Sequence, residues 1–338
     1  MYKSISSLKF LFFIICLNCL TYLKVSAQSP TPIAFFTNPL QLNPAIMGSN
    51  QDVKGILDYR SQWAAIDNGY TTMNFNAMYP IMIGDHKGKL DIGAYFQRDA
   101  AGAYTTNNMG VAIDYNKEIA ANNNLCFALS GGYYQQGLNT NGLTFDNQYV
   151  LGSFNPAIGG STPLANQKIG LPVINAGLMW TFNKSQTDNL DAYIGISGFN
   201  LNNPNESMTG LSTAGLTPIW SIQGGIKMFS NQALDITPNL VLATQSGNIK
   251  SALGAKTDYK FGDQTKLIFG LWYGKSDGVS VMAGLFYKNF TLNYLYEVVT
   301  STVGNQIGGG LSVNEVVLTY QFRTKKWSSA NDSQGPNK

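Results

Sequence analysis

Charge is what this chain has least of. Lysine, arginine, aspartate and glutamate make up 12% of its 338 residues, against roughly 25% in a soluble domain. Histidine occurs once, as His86. A Ser-His-acid hydrolase would have to use it, and a multi-histidine metal site is excluded. Long apolar runs are confined to the first residues. Lys3 and Lys9 precede the run Phe10–Cys19, and Val25, Ser26 and Ala27 form a small-residue cleavage site. This is the pattern of a secretory signal over residues 1–27, with a mature chain beginning at Gln28. Cys16 follows Ile15 and Cys19 follows Asn18, so neither has the small preceding residue of a lipoprotein acceptor. After Ala27 no run is long enough to cross a bilayer as a helix.

Loss of such a leader changes the bulk numbers. Of three cysteines only Cys126 remains, so internal disulfides cannot hold the exported chain. Lys3, Lys9 and Lys24 leave with it, and the 22 basic residues fall to 19 against 19 acidic ones. The apparent basicity therefore carries no nucleic-acid message. What is abundant is glycine, with 35 residues, and aromatics, at 12%, in a chain of mean hydropathy −0.07. An exported, charge-poor chain without a spanning helix points to the other structure a membrane permits, a closed β-barrel.

Barrel strands present lipid and lumen on successive residues, and the sequence alternates accordingly. Val316, Leu318, Tyr320 and Phe322 interleave with Val317, Thr319 and Gln321. Phe290, Leu292, Tyr294 and Tyr296 interleave with Thr291, Asn293, Leu295 and Glu297. Such segments predict a transmembrane antiparallel barrel of about fourteen strands. They lie near 53–62, 71–80, 89–98, 105–116, 124–136, 172–182, 190–199, 218–229, 233–244, 249–260, 265–273, 279–287, 289–297 and 314–322. The three longest connections, 137–171, 200–217 and 298–313, then fall at one end, expected to be the outer one, with short turns at the other. The parity is even. A pair of soluble β-sandwich domains would tolerate more surface charge and need not sort loops by length. The barrel is assigned to 53–322 and a polar periplasmic tail to 323–338, with both barrel termini periplasmic.

Residues 28–52 precede the first strand. Asn38-Pro39 and Asn43-Pro44 bracket Leu40 and Leu42, and each proline restricts its own φ and the residue before it. A stiff, extended, proline-rich peptide is expected, with Pro39, Leu40, Leu42, Pro44 and Ile46 as a candidate lumen plug. In the loop 139–170, Phe145, Tyr149 and Phe154 stand among Gly, Asn, Ser and Thr, a composition suited to recognition, and are candidate partner-binding residues.

Several segments in order resemble the PorP/SprF family of outer-membrane proteins associated with type IX secretion. These are NPLQLNPAIMGS at 38–49, YRSQW at 59–63, YIGISGFNLNNPNES at 193–207 and EVVLTYQF at 315–322, with a looser match of QRDAAG at 97–102. The resemblance implies a non-enzymatic outer-membrane barrel that assists secretion or surface attachment of a large protein, such as a gliding adhesin, through a C-terminal sorting domain. It also implies contacts with other secretion components and peptidoglycan-binding periplasmic proteins. The polar tail after Phe322 departs from a chain ending on its closing strand. A diffusion channel for small solutes is the rival function; a membrane enzyme is a distant third.

No cofactor or metal is expected. His86 sits in a polar turn, Gly84–Gly88, and Cys126 alternates with Leu125 and Phe127 as a small buried filler. Asp114 and Glu297 are expected to pair with Arg60, Arg98 or Lys227 as interior braces. Asp146, Asp188 and Asp191 lack calcium-loop spacing, and Gly308–Gly310 lacks the following Lys-Ser/Thr of a phosphate loop.

Overall fold

The computed structural model describes residues 35–49, 52–63, 69–83, 88–139, 143–150, 152–155, 157–158, 168–183, 191–208, 215–262, 264–275, 278–300 and 312–323. The expected leader 1–27, His86, Asp188, Gly308–Gly310 and the expected tail beyond 323 lie outside the described residues.

Fourteen strands form one closed antiparallel barrel in chain order. They are β1 (Val53–Gln62), β2 (Tyr70–Ile83), β3 (Gly88–Ala101), β4 (Tyr104–Ala120), β5 (Asn123–Leu138), β6 (Lys168–Phe182), β7 (Ala192–Phe199), β8 (Ile219–Ile226), β9 (Leu234–Gln245), β10 (Asn248–Gly262), β11 (Thr265–Gly274), β12 (Gly278–Tyr287), β13 (Phe290–Val299) and β14 (Ser312–Phe322). Each pairs with the next, and β1 pairs with β14 from Val53↔Phe322 to Gln62↔Val313, so the sheet has no free side. Closure satisfies every ladder within the wall, as a membrane demands.

The period-2 pattern decides which face is which. Leu57, Tyr59, Phe75, Ile113, Phe127, Leu129, Leu271 and Leu292 point outward and are exposed, whereas Asp58, Asn74, Asn76, Asp91, Asp114, Ser130, Asn175 and Gln223 point inward and are buried. Tyr79, Tyr115, Tyr259, Tyr273, Tyr287, Tyr320 and Phe322 are likewise exposed, and Trp180 stacks on Phe182 at 6.5 Å. These are positions an interfacial aromatic girdle uses.

The strand ends joined by the long connections, Leu138 and Lys168, Phe199 and Ile219, and Val299 and Ser312, lie at one mouth; Val53 and Phe322 pair at the other, with the turns at 121–122 and 288–289. Ser246 and Gly247 link β9 to β10 with φ of 51° and 79°, the paired positive φ of a type I′ hairpin turn. The eighth strand ends at Ile226, short of the expected 229. Ile236 accepts from the Met228 N–H, so Pro238, two residues along β9, turns the same way and has no N–H to give. A short pairing of Phe229 and Ser230 with Ile236 and Asp235 resumes beyond the gap.

The wall is uneven. Strands β2–β6 are 14 to 17 residues long, against 8 for β7 and β8 and 10 for β11–β13. Cysteines placed at 155 or 205 should react with an impermeant maleimide added to intact cells, while 86 and 330 should not. Reaction at 86 but not 155 would reverse the topology.

Candidate functional site

Phe35–Ser49 lies against the inward face of the barrel. It is not the extended peptide expected. It forms a 3-10 turn at Phe35–Thr37, one α turn at Pro39–Leu42 and a second 3-10 turn at Pro44–Ser49. The prolines open turns instead of straightening the chain, since a φ near −65° suits the first position of a helix. Asn43, between the second and third turns, is extended, whereas Asn38, before the α turn, has φ −120° and ψ 71° and is not. The Asn43 Oδ1 then accepts from Ala45 N at 2.9 Å, closing an Asx turn.

Of the five residues singled out here, Pro39, Leu40, Leu42 and Pro44 are buried and Ile46 is half-buried. Hydrogen bonds tie the segment to opposite walls, some through its own asparagine side chains and some through its backbone carbonyls. Asn43 Nδ2 donates to the Leu178 and Ile196 carbonyls, both at 3.3 Å, and Ser197 Oγ to the Leu42 carbonyl at 2.6 Å. Lys89 Nζ donates to the Met47 carbonyl at 3.3 Å, and Asn116 Nδ2 to that of Gly48. Asn38 Nδ2 donates to Asp58 Oδ2 at 2.8 Å, which also accepts from Asn74.

The other end is apolar. Phe36 lies over Trp272 with ring centroids 4.7 Å apart, and Trp272 Nε1 donates to Asn239 Oδ1 at 2.7 Å. Phe35 and Leu40 join Ile56, Val241, Ile268, Met282, Leu295 and Val317 in one buried cluster. Strand glycines make the approach possible. A Cβ on Gly93 would collide with Met47 and press on Leu40, and one on Gly177 would collide with Asn43.

The interior ion pairs follow the expectation in part. Arg60 reaches Glu297 at 3.7 Å and Glu315 at 3.6 Å, all three buried, and donates from Nη1 to Gln62 Oε1 at 2.8 Å. Lys227 pairs with Asp191 at 3.0 Å. Arg98 does not brace the interior: it follows outward-facing Phe96 by two residues and is exposed. Asp114 pairs with none of the three expected cations. It faces Asp91 across β3 and β4, and Lys89 reaches Asp91 at 3.1 Å. Cys126 is fully buried, beside Asp114 and Gly48. Among the described residues no group of three or more His, Cys, Asp or Glu side chains is placed to hold a metal ion.

At the long-loop mouth Tyr149 and Val150 pair with Phe154 and Ser153 in a small separate hairpin. Tyr149 is 61% exposed and Phe154 42%, with rings 5.5 Å apart; Phe145 is half-buried. Gln148 holds the hairpin. Its Oε1 accepts from Phe145 N at 2.7 Å, its Nε2 donates to the Ile158 carbonyl at 2.9 Å, and its own carbonyl accepts from Asn155 N. Sequence reasoning missed Gln148; its one local signal is a Gln three residues after Phe145, the spacing that lets a side chain return to a turn's first N–H. Nearby, Gln136 Nε2 donates to the Glu206 carbonyl at 2.6 Å, and burial raises the Glu206 carboxyl above its ordinary pKa.

Barrels of known structure share this architecture. The toluene transporter TbuX of Ralstonia pickettii is 14% identical, with 84% of this chain and 92% of that one covered at a TM-score of 0.52. The P. putida toluene transporter TodX is 9% identical, with 89% and 96% covered at 0.53. A TodX deletion mutant described as a monoaromatic hydrocarbon channel gives 10%, 84%, 94% and 0.54. At these identities the likeness is one of fold alone. No curated protein sequence matches the chain. The family model of the type IX secretion system membrane protein PorP/SprF matches residues 25–320. With nearly all of the barrel inside that match, the chain belongs to the PorP/SprF family of type IX secretion membrane proteins.

Proposed function

We propose that this protein is a non-enzymatic outer-membrane barrel, closed by its own N-terminal segment, that assists secretion or surface attachment of one large secreted protein. Its cargo class is a surface protein such as a gliding adhesin, engaged through that protein's C-terminal sorting domain at the long-loop mouth. Residues 1–27 serve as the export signal, and the opposite mouth faces other secretion components and peptidoglycan-binding proteins of the periplasm. The observation that carries the reading is the position of Phe35–Ser49. It is bonded to β1, β3, β4, β6 and β7 and packed on Trp272 of β11. A lumen filled by tethered chain has little room for solute, so the useful surfaces are the rim and loops.

A diffusion channel for small solutes is the second reading, favoured by the fold shared with the toluene transporters. Comparing the surface proteome with and without the gene separates the two. Loss of one large surface protein, with the rest unchanged, is expected. An unchanged surface proteome would remove the secretion reading.

A further inference from the structure

Apolar packing runs along Phe35–Ser49 as far as Met47, and polar bonds to the backbone are added at its second end. At the first end Phe35, Phe36 and Leu40 sit among Ile56, Ile268, Trp272 and Leu295, where every buried ring and methyl favours closure. At the other end the Met47 side chain still belongs to that cluster, while the Met47 and Gly48 carbonyls rest on polar groups near the short-turn mouth. Lys89 is one residue into β3 and Asn116 four from the end of β4.

This corner is imperfectly made. Asp91 and Asp114 face each other with one ammonium, that of Lys89, between them and the segment. Asp114 is fully buried; its carboxyl hydrogen-bonds to that of Asp91 opposite, and no other group donates to it. Two carboxyls buried against each other beneath the segment penalise the state that buries them. The fit is also tight: a Cβ on Gly48 would stand 2.5 Å from both Asp114 Oδ2 and Cys126 Sγ.

We propose that Phe35–Ser49 is a strap tied at both ends, to β1 by the chain and to the Trp272 cluster by its apolar residues, and poised to bow open at Met47–Gly48. The inference rests on the closed-lumen reading above and adds to it which part lets go. Opening brings water to Asp114 and Asp91 and leaves the Phe36–Trp272 contact in place. It also uncovers the Cys126 thiol, which the closed corner seals, so this cysteine reports on the strap.

The test is the rate at which a small hydrophilic maleimide labels Cys126 in outer-membrane preparations of the full chain carrying C16S and C19S. Slow labelling is expected in the otherwise unchanged protein. Asp114→Asn keeps the shape and offers an N–H to Asp91, and should slow labelling about tenfold. Gly48→Ala should speed it by at least about tenfold, and Phe36→Ala should change it far less. Equal acceleration by Phe36→Ala and Gly48→Ala would show the segment moving as one body and overturn the strap. Slow labelling that neither Asp114→Asn nor Gly48→Ala alters would overturn it too, leaving the closed lumen standing. Rapid labelling insensitive to every variant would instead remove the closed-lumen reading, and the strap with it.

Discussion

Deleting residues 33–47 should convert the barrel from a nearly non-conducting protein into one that gives discrete, stable conductance steps in planar bilayers. The segment crosses between walls, from Asn116 of β4 to Trp272 of β11, and its removal takes Leu40, Leu42, Met47 and Phe35 out of the interior together. Burial of such side chains contributes roughly 1.5–3 kcal/mol each when complete, so the deleted form should also unfold at lower denaturant. It should still fold, because its fourteen strands are paired all the way round without the segment. A fourteen-stranded wall emptied of that chain approaches the size at which porins carry water and ions. Porin-like conductance already present in the full chain, and unchanged by the deletion, would make the segment a leader only and favour the channel reading.

Replacing Phe145, Tyr149 and Phe154 together with alanine should leave the barrel intact and strip one large protein from the cell surface. The hairpin that carries Tyr149 and Phe154 is separate from the barrel sheet, so its rings are not needed for closure. Gln148 fixes its shape by bonds at both edges, and rings held on a preorganised loop lose little freedom on binding. Residues at the centre of such a contact commonly account for 2 kcal/mol or more each. Loss of the three should therefore lower occupancy by orders of magnitude, readable as depletion in a surface proteome. Normal display by a correctly folded triple mutant would exclude this hairpin as the contact.

The barrel was legible because its cause is local and repeated. Val316–Phe322 or Leu125–Tyr133 show a period of two on their own, and fourteen repetitions with even parity and long loops at one end leave little else to build. Ends of strands were less legible. The eighth strand stops where Pro238 of the neighbouring β9 lacks a donor, a partner's property that its own residues do not carry. Within Phe35–Ser49 the two Asn-Pro pairs announced backbone restriction but not its sense. A proline is equally at home in an extended chain and at the start of a turn, and the barrel's inner wall selects the turn.

The sequence by itself determined that the chain alternates, that it is poor in charge, and that it belongs with barrels of this family. These are sums over many residues, and no single contact alters them. Tertiary structure alone decided the partners. Arg60 found Glu297 and Glu315 on strands more than two hundred residues away, while Arg98 turned outward and Asp114 was set against Asp91. Alternation says only that a residue takes one of two faces. Which residue it meets there depends on the register of neighbouring strands, fixed when the sheet closes on itself.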